Sequence, residues 1–209
     1  MLKRIFDMDN PLMRALSIVG DLILLNILTA LCCIPVITWG AALTALNDVA
    51  WNIVNNTEGY IIRSYFRSFR KNLKTGSILG IIYAVCAMIF IVDVYAVSGK
   101  GRAIVIALIA VGIIFVAVVN LSFALLFHYG YGVIEDIKMS LYIMVGFFPV
   151  VFAMSVWNIF YAALSYYFSI RLIPAFILLG ISLPCYVNAL IYSRIFEKID
   201  GEKAPLDDA

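Results

Sequence analysis

Three aspartates, Asp21, Asp48 and Asp93, stand inside long apolar stretches of this 209-residue chain. A carboxylate at membrane depth costs a few kcal/mol or more to bury and needs a partner, so these positions are the first place to look for chemistry. If the first two apolar runs form a hairpin turning near Ile37, Asn26 and Asp48 each lie eleven residues from the turn, ~16 Å deep at ~1.5 Å per residue. They would then meet near the middle of the bilayer. By the same measure Asp21 and Asn52 lie sixteen and fifteen residues away, and Thr44, Asp48 and Asn52 share one helix face. Such an intramembrane polar cluster serves either as a proton or substrate path or as polar glue between two helices. A proton-coupled carrier would show a buried basic partner or further acids in later helices, and only Asp93, about one turn from an outer helix end, follows.

A second set of residues lies between 57 and 75. Ile62, Phe66, Phe69 and Leu73 recur at helical spacing, and Arg63, Arg67, Arg70 and Lys74 follow one position later, with Lys71 beside them. Asn55 and Glu58 resemble a capping arrangement ahead of this helix. The pattern predicts an amphipathic helix on the cytoplasmic surface, with its cations near anionic headgroups and its aromatic face in the acyl boundary, or docked on a partner protein.

Nothing else in the chain has the spacing of an active site, and no enzyme is expected. His128, the only histidine, sits beside Tyr129 at a helix end with Glu135 and Asp136 following, and reads as a boundary residue. Cys32, Cys33, Cys86 and Cys185 fall in apolar runs without metal-ligand spacing and read as small buried residues. No Walker motif or nucleophile elbow is present, and neither a cofactor nor a metal is expected.

The elements that must position these residues follow from composition. Hydrophobic residues make up 64% of the chain and charged residues 13%, with a mean hydropathy of +1.02. Soluble domains carry roughly a quarter charged residues, so one all-α, polytopic membrane domain is expected. The predicted spans are 17–37, 38–54, 77–97, 103–127, 141–164 and 172–192, with the interfacial helix at 57–75. Asn10-Pro11 precedes the first, and no small-residue cleavage site marks that run for removal. The tail from Glu197 to Ala209 is polar and is expected to fray at its end. Pro149, Pro174 and Pro184 lie in or near the last two spans as candidate kinks.

Span 38–54 is the ambiguous one, because it holds Thr44, Asn47, Asp48 and Asn52. If it crosses, twelve of the fifteen Lys and Arg residues share one side, whereas five spans plus a re-entrant segment split them nine to six. The positive-inside rule therefore favours six spans with both termini cytoplasmic. The net charge of +2 is too small and too dispersed for a nucleic-acid partner. The lipid bilayer is the expected one.

Several short strings carry a family resemblance: Asn10-Pro11-Leu12, Asp21-Leu22 with Asn26, Ile34-Pro35-Val36 followed by Thr38 and Gly40-Ala41, Ala45-Leu46, and Ser68-Phe69-Arg70-Lys71-Asn72. Over about the first 75 residues the chain resembles the YesL-like small bacterial membrane proteins. Trp39 stands where many relatives have an aliphatic residue. The resemblance implies an unassigned biochemical activity, association with carbohydrate ABC importers in Gram-positive bacteria that use plant polysaccharides, and permease subunits as partners. It implies no catalytic or binding residues.

Overall fold

The computed structural model describes residues 11–57, 59–97, 102–168 and 180–207. Among them there is no strand. The helices are α1 (Pro11–Cys32), α2 (Trp39–Val54), α3 (Ile61–Lys71), α4 (Leu73–Val97), α5 (Arg102–Tyr129), α6 (Val133–Gly146), α7 (Phe148–Phe168) and α8 (Ser182–Asp207), with a 3-10 turn at Val36–Thr38. Pro11 opens α1, ahead of the apolar run, because a first-turn residue needs no N–H partner. At the other end of α1 the Thr38 hydroxyl donates to the carbonyls of Cys32 and Pro35, each at 2.9 Å. These bonds close the turn into α2.

α2 is the centre of the bundle. Ten of its sixteen residues are buried, and α1, α3, α4, α5 and α8 all pack on it. Such crowding is possible because its first turns are Gly, Ala and Thr. A Cβ added to Gly80 of α4 would lie 2.9 Å from the Cα of Gly40, and one added to Gly76 would lie 2.9 Å from the Cα of Ala41. The two helix backbones therefore touch across Gly40, Gly76 and Gly80, a small-residue contact of the kind that holds membrane helices together. Thr44 fits the same seam by turning its hydroxyl onto the Gly40 carbonyl at 2.8 Å.

Two helical stretches, Leu73–Ala96 and Ile104–Tyr129, are long and apolar enough to cross a membrane. They match the predicted spans 77–97 and 103–127. Three observations concern the other predicted spans among the described residues. Leu16–Cys32 is a shorter apolar helix, and α2, at ~24 Å, falls short of the ~30 Å hydrocarbon. The predicted span 141–164 is not one helix: α6 and α7 meet at Phe147 with a bend of 106° and together make one broken span or a re-entrant loop. Pro149 supplies the reason, since it has no N–H for the carbonyl four residues back and its ring clashes there. Most of the first half of 172–192 lies outside the described residues, and its second half is the start of α8.

Other expectations shift locally. The interfacial segment 57–75 is helical as α3 over Ile61–Lys71, and α4 starts at Leu73, just past Asn72. Asn55 ends α2 rather than beginning α3, whose N-cap is Tyr60 without a side-chain bond; Glu58 lies outside the described residues. Past Asn55, Asn56 adopts a positive φ of 53°, and its N–H bonds Ile53 O while Thr57 N bonds Asn52 O at 3.0 Å. This is a Schellman closure, and asparagine tolerates the left-handed position it needs. Arg14 of α1 donates to the Asn56 side chain. In the polar tail α8 continues to Asp207, and the last two residues lie outside the described ones.

Replacing Gly80 with Val forces α2 and α4 apart and should cost about 1–3 kcal/mol, read as a lower melting temperature in detergent. Gly20→Val is the control, because no atom lies within 4 Å of a Cβ at Gly20. Equal melting of the two variants would contradict the contact.

Candidate functional site

The predicted polar hairpin is built from residues that the fold employs separately. Asn26 is buried on α1, and its Oδ1 accepts from the backbone N–H groups of Ile181 at 2.8 Å and Ser182 at 3.1 Å. It thereby caps α8, 155 residues on. Thr44 bonds within its own helix. Asp48 accepts from Asn52 Nδ2 at 3.2 Å, and the Asn52 side-chain oxygen accepts from the Thr57 hydroxyl at 3.1 Å. Asp48, Asn52 and Thr57 thus form a relay along the end of α2. Asp21 is half-buried on α1, and Asp93 is exposed on α4.

The predicted cations lie on α3 and, for Lys74, in the first turn of α4. Arg63, Arg67, Arg70, Lys71 and Lys74 are exposed, as are Phe66, Ile62 and Leu73. The face turned to the protein is a different stripe: Ile61, Tyr65 and Ser68 are buried, followed by Asn72. Tyr65 fixes it, stacking on Phe69 at 6.3 Å and donating its hydroxyl to the Ala42 carbonyl at 3.4 Å. Ile62 and Phe66 face away from the bundle. His128 joins an aromatic cluster, stacked on Phe196 at 4.6 Å and edge-on to Trp51 at 5.2 Å. Of the cysteines, Cys185 is buried and Cys86 is exposed, so burial does not describe all four.

The most developed site is a cavity of about 570 Å³ between α2, α5, α7 and α8. One asparagine from each helix lines it: Asn47, Asn120, Asn158 and Asn188. Asn158 and Asn188 form a reciprocal amide pair at 3.1 and 3.2 Å, and Asn188 Nδ2 also donates to Asn120 Oδ1 at 3.2 Å. Each of the other three sends one N–H to the carbonyl four residues back: Asn47 to Leu43 at 2.9 Å, Asn120 to Val116 at 2.8 Å and Asn158 to Met154 at 2.7 Å. Asn47 accepts from the Tyr192 hydroxyl at 3.3 Å.

Proton counting shows what remains. An amide has two N–H donors and two acceptor lone pairs. Asn158 and Asn188 have spent both donors, whereas Asn47 and Asn120 each retain one, and all four oxygens retain acceptor capacity. The rest of the lining is apolar apart from Tyr161 and Cys185, and no Asp, Glu, Lys, Arg or His contributes to it. A neutral wall that both donates and accepts suits an uncharged, hydroxyl-bearing solute, and the volume falls within the range of small-molecule sites. Among the described residues no group of three His, Cys, Asp or Glu side chains is arranged to hold a metal ion.

Sequence reasoning noticed Asn47 as a polar residue in its span and passed over Asn120, Asn158 and Asn188. The available signal was their isolation, a single amide in each of three otherwise apolar runs. Carboxylates drew attention first because their burial cost is larger.

Residues 22–94 match the family described as "Protein of unknown function, DUF624". The matched segment runs from α1 to the last turn of α4 and takes in the whole glycine contact. No curated protein and no solved structure matches the chain.

A double-mutant cycle of Asn158→Leu and Asn188→Leu, read by thermal or denaturant unfolding in detergent, should return a coupling of about 0.6–1.7 kcal/mol. A coupling of zero would mean the two amides are not paired.

Proposed function

Taking as premise that this chain carries the DUF624 segment and is YesL-like, we propose a non-enzymatic membrane protein whose asparagine cavity binds an uncharged, hydroxyl-rich solute in support of a carbohydrate ABC importer. The carrying observation is the convergence of four amides from four helices on one cavity without an ionisable acid or base. Sugars present hydroxyl groups that donate and accept alike, and unspent amide capacity matches them.

The accessory role, as subunit or assembly factor of the importer, draws on the resemblance to the YesL-like proteins and on the cationic face of α3. That face suits an anionic leaflet, and its exposed Ile62 and Phe66 suit the acyl boundary. The charge bias supports a multi-pass chain of the bacterial cytoplasmic membrane with six crossings and both termini cytoplasmic. In that arrangement α1, α2 and the α6–α7 pair cross as parts of a packed bundle rather than as independent spans.

A second reading rests on the relay of Asp48, Asn52 and Thr57: a small autonomous transporter or channel. Flux through proteoliposomes containing the purified chain alone, lost in Asp48→Asn with folding intact, would favour it over the accessory role.

The solute reading is tested by titrating the purified protein in nanodiscs with neutral and with acidic oligosaccharides. Saturable binding of a neutral sugar is expected, weakened at least tenfold by Asn120→Leu. Absence of binding across the neutral panel sinks it. For the accessory role, affinity purification from native membranes should recover a permease subunit, and charge reversal at Arg63, Arg67 and Arg70 should reduce its yield. Unaltered sugar uptake after deletion counts against that role.

A further inference from the structure

Asp136 is fully buried at the start of α6, and neither carboxyl oxygen has a hydrogen-bond partner. Its surroundings are three hydroxyls from three helices. Tyr83 of α4 lies 2.6 Å from Ser122 of α5, Ser122 lies 2.7 Å from Ser140 of α6, and Ser140 donates to the backbone carbonyl of Asp136 at 2.8 Å. Ser122 and Ser140 are fully buried and Tyr83 nearly so.

The directions of these bonds are fixed by counting protons. A hydroxyl has one to give. Ser140 gives its own to the Asp136 carbonyl, so the proton between the serines belongs to Ser122, and the one between Tyr83 and Ser122 belongs to Tyr83. All three are spent. What remains for the carboxyl beside Ser122 is a lone pair, and lone pairs repel an ionised carboxylate. A neutral carboxyl instead has a proton to turn toward Ser122 Oγ, which has room to accept a second bond.

Charged neighbours do not rescue the ionised form. Among the described residues no Lys or Arg pairs with Asp136. On its own helix Glu135 and Lys138 are exposed. From α4 the facing ionisable group is Tyr83, and from α5 it is none, since His128 is stacked on Phe196 and Trp51 instead. α7 carries no ionisable side chain before Tyr161. A bound metal cation would need the hydroxyls spread around it, whereas here they bond one another.

We infer that Asp136 is a proton-binding site: loaded, it joins α4, α5 and α6 through Ser122, and it releases its proton only when those helices part and admit water. Asp136 has no exposed surface although it lies in the first turn of α6, so water reaches the carboxyl only by such a movement. The inference goes beyond the solute reading and stands on different residues. If both hold, the site supplies a means of coupling solute occupancy to proton uptake.

The sign follows from linkage: a closed packing that holds one more proton than the open or unfolded chain loses stability as pH rises. In nanodiscs the closed-to-open ratio of the wild type should therefore fall, by up to about tenfold per pH unit, while Asp136→Asn, which stays neutral, should show no such dependence. Infrared spectroscopy at neutral pH should show a protonated-carboxyl carbonyl band that is absent from Asp136→Asn. Should that variant fail to fold, Ser122→Ala with Asp136 intact must shift the same band. The inference is overturned if no protonated-carboxyl band responds to either substitution. It is also overturned if sodium chloride, but not choline chloride, stabilises the wild type through Asp136, since the site then holds a metal cation.

Discussion

The backbone contact between Gly40 on α2 and Gly76 and Gly80 on α4 is the constraint from which the rest of the arrangement follows. Hydrocarbon surroundings give apolar side chains no reason to prefer one another over lipid, so close van der Waals approach and internal hydrogen bonds must hold the helices together. With no side chain between them, α2 and α4 come near enough for Trp39, Thr44 and Leu43 to meet the neighbouring helices. The short α3, which joins these two in sequence, is then obliged to lie across them. Its Tyr65 reaches the Ala42 carbonyl because α2 is already in place. That the DUF624 match covers residues 22–94 fits this dependence, since the segment contains both partners and the connection between them.

Around this scaffold the polar interior is divided by chemistry. Amides hold α5, α7 and α8 together at one cavity, where each group both donates and accepts and no charge has to be desolvated. Hydroxyls link α4, α5 and α6 on another side, with the buried Asp136 in the same region. α5 belongs to both, presenting Asn120 and Ser122 two positions apart and hence to different neighbours. A rotation or shift of α5 therefore disturbs the two networks together.

Hydropathy identified α4 and α5 nearly to their ends, because immersion and helicity coincide there. It stops short at the start of α4 and along α8, where Lys74 and the segment after Glu197 are helical without being apolar. The bend at Phe147 had a visible cause in Pro149, but sequence could not give its size, which depends on what each half packs against. Gly76 and Gly80 display a small-residue spacing, yet their partner, Gly40, is in another helix and is identified only by the fold. Asn26 was legible as a buried polar residue and not as the cap of a helix 155 residues away. Asp136 follows a Gly-Tyr-Gly turn, where an acid is ordinarily solvated, and only the docking of α6 on α4 and α5 removes it from water.

The enclosure of α2 has a consequence for how the chain is made. A helix carrying Thr44, Asn47, Asp48 and Asn52 has little reason to remain in lipid by itself, and its neighbours come from both sides in sequence. α1 precedes it, but α4, α5 and α8 leave the ribosome later. The enclosure of α2 is thus complete only once α4, α5 and α8 have all been made, so this helix depends for its burial on partners that follow it in the chain. A chain truncated before Ser182 would retain its most apolar helices and still lack a completed interior.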